Sequence, residues 1–403
     1  MSNGLFTCTS LLRRLPESRI DVFDASPVPY GLVRYGVAPD HQDVKNCINI
    51  FDRMFESNRD RLSLFCNVRI GSDIGMNELT KHYDAILLAY GAHRPRQLEI
   101  PGSRSRNVVS GSDFVSWYNG VPNAKAPSLD DPNVVIVGNG NVALDCARIL
   151  SNVDSLRTTD VPSDVLAALE KSAVTNIKII GRRGPKDVSF TIKELREQFK
   201  VPKWDTTVEM DEEELAGLKD TLATMERRKQ RLMKVGRLGN YRRCKTPSRR
   251  QAVSIHELSN SGRSSDFIHI GYQTVVLDGV PKNDKGMIAM KDSCRVDMPC
   301  GSSVYAAGWC AHGPRGVIVD TQRDAVAVAD QMVKDIKSKD SVTGSLPGVQ
   351  SVLDARRVKY VTWDEWKKID DVEVKQGAEK GKVREKLTRF NGYLKSRSDG
   401  TTP

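Results

Sequence analysis

The sequence predicts an α/β protein with two doubly wound, parallel-sheet units, and three observations carry that prediction. Val134–Val137 is a run of four apolar residues with the length and β-branching of a buried parallel strand. It runs straight into Gly138-Asn139-Gly140 and then into the helical spacing of Asn141–Leu150. Arg19–Asp24 reads as another strand, ending on a carboxylate and following a helical stretch over residues 5–15. Val304–Ala307 is a third, leading through Gly308-Trp309 and the glycine-rich loop Gly313–Gly316 into a helix near Val317.

Length and composition bound the answer. At 403 residues the chain has room for two domains or three small ones, and 39% apolar content suits a globular protein. No apolar run approaches the length of a membrane-spanning helix. The net charge of +10 points to an acidic partner, an anionic substrate or nucleic acid, or to solubility alone. The eight cysteines form no C-x-x-C pair and no metal-site spacing, so reduced, mostly buried thiols and no metal centre are expected. The opening residues MSNGLFTCTS lack the apolar core of a signal peptide.

Taken in order, the N-terminal residues resemble a βαβ unit entered late. Gly4 stands where the third glycine of a G-x-G-x-x-G turn would be, and Asp24 where such a unit keeps the carboxylate that accepts hydrogen bonds from a ribose. The first strand and first two glycines are then missing. By itself Asp24 also reads as a solvated strand-end residue. Pro27–Asp40 is long and irregular yet rich in aromatic residues and valine, which suits a functional loop. A helix is expected over 41–57, a strand over 63–70 around Val68, and a buried strand over Tyr83–Gly91. Residues 103–130 connect to the central motif and include an amphipathic segment at Asp113–Tyr118.

The central strand, turn and helix spell G-x-G-x-x-A. Gly138 allows the tight turn, Gly140 lets the backbone approach a pyrophosphate, and Ala143 lets the helix pack close to the strand. The helix start offers free N–H groups to the phosphates. A bare match of this kind also fits an ordinary strand–helix turn. After a polar helical insertion near 155–172, Asn176–Ile180 is the next strand, and it ends in Gly181-Arg182-Arg183-Gly184-Pro185. Two arginines stand where an NAD-binding unit keeps its carboxylate. Guanidinium groups grip a 2′-phosphate, so NADP is favoured over NAD, against the plainer reading of a solvated basic turn. Ser189–Glu197 starts a helix, and 211–236 reads as a long one, acidic first and basic later, as the helix dipole prefers. Residues 237–250, RLGNYRRCKTPSRR, form the densest basic run. With one aromatic and no recognisable module around it, nucleic-acid binding is disfavoured there. Residues 257–265 read as a loop, and helices carrying Trp363 and Trp366 run to about 395.

Two nucleotide units, one with a ribose carboxylate and one with arginines, indicate FAD first and NADPH second. On the strings VPYGLVRYGVAPDH, GNGNVALDCARIL, GRRGP with FTIKELRE, and YAAGWCAHGPRGVI, the chain resembles the adrenodoxin reductase family almost end to end. The resemblance implies two Rossmann-like domains: an FAD domain from 1–103 and 276–403, and an NADP domain inserted at 104–275. It implies FAD held by Asn3, Gly4, Asp24, Leu32, Val68, Trp309, Gly316, Val317 and Ile318. It implies NADP held by Gly138, Asn139, Gly140, Asn141, Val142, Ala143, Arg182, Arg183 and Glu194, with Gly316 close to the nicotinamide. Catalysis would be cofactor-borne, hydride passing from NADPH to FAD and single electrons to an acidic [2Fe–2S] ferredoxin. Arg242, Arg243 and Lys245 would dock that partner. A mitochondrial, matrix-side location follows from the resemblance alone, with peripheral contact to the inner membrane. Relative to the family the chain starts inside the first fingerprint and is shorter between Pro247 and Ile270. A non-catalytic chain retaining NADP or ferredoxin binding is therefore the alternative to an active enzyme.

Overall fold

The structure is a computed structural model that describes residues 1–105, 107–181, 188–208, 227, 230–231, 252–257, 265–298, 302–314, 316, 318–338 and 348–390. Its strands are β1 (Ile20–Asp24), β2 (Leu62–Cys66), β3 (Ala85–Leu88), β4 (Arg94–Pro95), β5 (Val108–Ser110) and β6 (Asn133–Val137), then β7 (Asn176–Gly181), β8 (Asp205–Val208), β9 (Ala252–Glu257), β10 (Ser265–Ile268), β11 (Tyr272–Gln273) and β12 (Ser303–Ala306). The α/β class expected from the sequence is what the chain adopts.

The run Val134–Val137 sits inside a six-stranded sheet of order β5-β10-β6-β7-β9-β8, and every pairing in it is parallel. A strand paired on both edges and covered on both faces has to be apolar throughout, which explains the uninterrupted valines. Val134 and Ile136 are buried with Phe114, Leu144 and Phe267 in one core built only from residues of this middle stretch. The outer parts of the chain build the rest. There β1 pairs with β2 and β3 with β12, again in parallel. The two pairs share apolar clusters: Phe23, Phe65, Ile86 and Val304 meet in one, Ile20, Leu87 and Tyr305 in another. Among the described residues the remaining edges of β1 and β3 carry no strand.

Local chemistry explains where the elements stop. The helix expected over 5–15 runs Ser2–Arg14, and that over 41–57 is two pieces, Gln42–Lys45 and Ile48–Glu56. The strand around Val68 ends earlier, at Cys66, because Asn67 turns left-handed with φ 61°. The irregular Pro27–Asp40 holds one short helix, Leu32–Tyr35, and the stretch near 155–172 resolves into Val153–Leu156 and Ser163–Glu170. Trp363–Glu379 opens with a capping box between Thr362 and Glu365. The expected long helix 211–236 (apart from isolated residues), the basic run 237–250 and the chain beyond 390 lie outside the described residues. Cys8, Cys66, Cys146, Cys294 and Cys310 are buried, Cys47 is half-buried, and all six are free thiols.

Trp366 anchors the C-terminal helix. It is 1% exposed, donates from Nε1 to the Tyr30 hydroxyl at 3.2 Å and lies under the Arg34 guanidinium at 5.2 Å. Trp366→Ala is expected to cost about 3–5 kcal/mol through the cavity and the lost contacts. A urea midpoint that drops with an unchanged m-value would register it.

Candidate functional site

In a parallel sheet the helix starts, and the N–H groups they leave free, gather at the C-terminal strand ends. Both predicted glycine turns lie there. Gly138 follows β6 with φ 135°, donates to Ile180 O at 2.8 Å, and lies so close to the neighbouring strand that a Cβ would sit 2.1 Å from His269 O. Only glycine fits. Gly140 is the N-cap of helix Asn141–Ser151, which has no side-chain cap, so its first N–H groups are available to an anion. Ala143 is 1% exposed beneath it. Asn139 packs against Gly181 at the end of β7, its carbonyl accepts from Ser189 N at 3.1 Å, and its buried Oδ1 has no hydrogen-bond partner among the described residues. Asn141 Oδ1 accepts from Thr191 N at 2.7 Å. Val142 packs on the edge of the same core. Arg182 and Arg183 follow Gly181 directly and lie outside the described residues, as do Val317, Arg242, Arg243 and Lys245.

The second cluster forms where β1, β3 and β12 end. Asn3 and Gly4 open the helix Ser2–Arg14, which has no side-chain cap. A Cβ on Gly4 would lie 3.3 Å from Ala89, just past β3. Asn3 Nδ2 donates to Asp324 Oδ2 at 2.8 Å, and the same oxygen accepts from Gly308 N at 2.6 Å. This carboxylate thus ties together the turn after β12, the N-terminal helix and helix Ile318–Ser338. Asp24 ends β1, its Oδ1 accepts from Ser26 N at 2.7 Å, and its backbone carbonyl accepts from Val68 N at 3.0 Å. Burial pushes the Asp24 carboxyl above its ordinary value, opposed by the N-terminal ammonium and the Ser26 N–H. Leu32 is 47% exposed beyond a turn at Tyr30-Gly31 that packs on Met1. Gly316 is exposed with φ 85° and precedes Ile318, which packs on the core beside the N-terminal helix.

A short series of contacts joins the two turns. His269 N donates to Val137 O at 2.8 Å, and its carbonyl covers Gly138. Its ring meets Tyr272 at 5.2 Å, and Tyr272 meets half-buried Trp309 at 6.1 Å. Thr274 then donates to Trp309 O at 2.9 Å. Burial alone pushes the His269 imidazole down to about 4, so it is neutral in the physiological range. The contacts therefore run from the Gly138 turn, through His269 and Tyr272, to the Gly308-Trp309 turn after β12.

A sequence profile described as pyridine nucleotide-disulphide oxidoreductase matches residues 41–214. The chain is 37% identical over 433 residues to the mitochondrial NADPH:adrenodoxin oxidoreductase of Drosophila melanogaster, covering 97% of this chain and 91% of the relative. It is 34% identical over 438 residues to the human protein of the same name, covering 95% and 88%. The chain belongs to the NADPH:adrenodoxin oxidoreductase family. The structure of Mycobacterium tuberculosis FprA in complex with NADPH matches with a TM-score of 0.87 at 29% identity, over 98% of this chain and 97% of that one. The resemblance drawn from the sequence motifs is therefore borne out at the level of the family and its fold.

Family membership leaves Glu194 to be placed by geometry. It sits on helix Ile192–Phe199 and is 9% exposed, within a buried charge cluster that sequence reasoning missed. Arg148 reaches Glu194 at 3.1 Å and Asp145 at 2.6 Å and also pairs with Asp40, while His41 meets Glu197 at 2.7 Å. Potential ligand atoms of His41, Glu194 and Glu197 lie within 4.8 Å of one another, with the Arg148 guanidinium in the same cluster. Residues more than a hundred positions apart meet here, so only the polar residues inside apolar helical spacing, Asp145 and Arg148, hinted at it.

Burial, reinforced by Asp145, pushes the Glu194 carboxyl up to about 7, with His41 and Arg148 opposing. The native state therefore holds this proton more tightly than an unfolded chain does. The stability so contributed is fully present below about pH 4.5 and is lost as the pH rises towards 7. Glu194→Gln, which cannot ionise, is expected to flatten that loss, checked by denaturant midpoints at about pH 5 and about pH 8.

Proposed function

We propose that the chain is an FAD-dependent NADPH:adrenodoxin (ferredoxin) oxidoreductase. The observation that carries this reading is the glycine turn Gly138–Gly140, connected through His269, Tyr272 and Trp309 to the Gly308 turn beside the N-terminal helix, in a chain of this family. The FAD domain comprises 1–103 and 276–403 and the NADP domain 104–275; the self-contained core and six-stranded sheet over 108–268 support that division.

The residues present fit both cofactors. On the NADP side the bare Gly138–Gly140 turn, the uncapped helix start at Asn141 and the unpartnered Asn139 Oδ1 suit a pyrophosphate and its ribose. Arg182 and Arg183, directly after β7, supply the charge for a 2′-phosphate. Glu194 acts one layer behind, pairing with Arg148 of the helix that follows the turn. On the FAD side Asp24 keeps one carboxylate oxygen for ribose hydroxyls. Asn3 and Gly4 open an uncapped helix, and Gly316 and Ile318 stand at the start of another. Leu32, Val68 and Trp309, with Val317 from the sequence, are assigned to the flavin as well. When bound, the pair supplies hydride transfer from nicotinamide to flavin and one-electron delivery outward. The chain's part is to orient the two, to exclude water with Tyr272 and Trp309, and to keep His269 uncharged beside them. The electron acceptor is an acidic [2Fe–2S] ferredoxin of the adrenodoxin type. It docks on the basic run through Arg242, Arg243 and Lys245, a placement supported by the net charge of +10.

The relatives are named mitochondrial, and we place this chain on the matrix side of the inner membrane as a peripheral protein. Among the described residues no helix is long and apolar enough to cross a membrane.

NADPH is expected to bleach the flavin bands of the purified protein. Replacing Arg182 and Arg183 together by alanine should raise the NADPH KM about a hundredfold while NADH use barely changes, the loss of two charge-assisted contacts. Equal loss with both cofactors would refute the 2′-phosphate assignment. Reversing Arg242, Arg243 and Lys245 to glutamate should slow ferredoxin reduction by about tenfold or more and flatten its salt dependence, while reduction of a small neutral acceptor stays unchanged.

A further inference from the structure

The two halves of the chain are connected covalently at two crossings, and the crossings are zipped to each other. Tyr272 and Gln273 of β11 pair antiparallel with Pro95 and Arg94 of β4, and Arg96 N donates to Gly271 O at 2.9 Å. In this short ribbon the two connecting segments run side by side. Away from it, residues 380–387 leave the end of helix Trp363–Glu379 and cross onto the middle half. Val383 N donates to Thr158 O at 3.1 Å, and Glu385 accepts from Ser163 N and from Ser163 Oγ, each at 2.8 Å. Lys382 donates to Val161 O.

The centre of this strap is a buried ion cluster. Lys386, with no exposed side-chain surface, reaches Asp160 Oδ2 at 2.8 Å, Asn119 O at 3.0 Å and Arg34 O at 3.1 Å. Lys45 donates to both oxygens of Asp160, at 2.8 and 2.7 Å, and Gln42 adds a contact at 3.1 Å. Asp160 thus belongs to the middle half and holds two lysines of the other. The strap is equally fixed on its own side. Glu385 N donates to Glu373 O and Leu387 N to Glu373 Oε1, both at 2.9 Å, while Arg384 donates to Asp370 and Glu373. Gly377 has no room for a Cβ, which would lie 2.3 Å from the Arg384 backbone.

We propose that Asp160, clamped by Lys45 and Lys386, is a positioning residue that locks the two halves at the mutual orientation hydride transfer requires. Removing the carboxylate leaves two buried ammonium groups facing each other, so the strap lifts and the halves turn about the β4–β11 ribbon. A misplacement of about 1 Å between reacting groups costs on the order of a hundredfold in rate. The lock rests on the proposed reductase reading for its kinetic consequence, but not for its structural one.

The test uses the FAD-loaded full chain and compares wild type with Asp160→Asn and with Lys386→Met, which keeps side-chain length without charge. Amide exchange at Val383, Glu385 and Leu387 should quicken by about a hundredfold in both variants. Single-turnover flavin reduction by NADPH should slow by about tenfold or more, with the dissociation constant for NADP within about twofold of wild type. Asp160→Glu should recover part of the rate. Ser163→Ala, a milder lesion on the same strap, should move both readouts in the same direction if the first two variants fail to fold. Unchanged exchange at the strap, or fast exchange with an unchanged rate of flavin reduction, would overturn the proposal. A wild-type protein that never reduces its flavin with NADPH would defeat the reductase reading instead, and the exchange measurement would still decide whether Asp160 holds the strap.

Discussion

The closeness of Gly138 to the backbone of His269 constrains more of this molecule than any other contact. It brings the end of β10 against the turn after β6, and so sets where the chain leaves the middle sheet for the outer half. Three residues later Tyr272 is already at Trp309. The distance between the two turns is therefore bridged by one short piece of backbone and three rings, not by a long loop. A side chain at position 138 would push the chain just past β10 outward.

The turns of the two halves are held differently. In the middle half the Gly138 turn is held by backbone hydrogen bonds and by a central, doubly paired strand. In the outer half a carboxylate, Asp324, does the joining, since Asn3 and Gly308 both donate to one of its oxygens. Behind each lies a buried ionic group: Arg148 with four carboxylates and His41 near the middle half's glycine turn, and Arg34 with Glu373 beneath the C-terminal helix. Buried ion pairs of this kind contribute little net stability but are costly to break, which favours one arrangement over its neighbours.

Much of this was legible in the sequence because periodicity and turn chemistry are local. Val134–Leu150 disclosed strand, turn and helix, and Thr191 as a helix cap follows from its position before Ile192. Asp24 was legible for the same reason, as a carboxylate at a strand end. The hidden part is what long-range contact decides. Nothing near Asp324 or Asp160 in the sequence marks either as a junction, because the partners that make them so, Asn3 for Asp324 and Lys45 for Asp160, lie 321 and 115 residues away. Glu194 was placed correctly on its helix, yet its role depends on Arg148 and His41, which only the folded chain brings to it. The strand around Val68 was drawn too long because hydrophobicity continues past the point where Asn67 turns the backbone.

The buried cysteines have a bearing on how such a protein survives its own chemistry. A thiol reacts with peroxide as its anion, and burial pushes the Cys8 thiol up to about 12 and the Cys66 thiol well above the ordinary range. These sulfurs stay neutral and shielded from water. Peroxide would therefore find few anionic targets among these buried thiols.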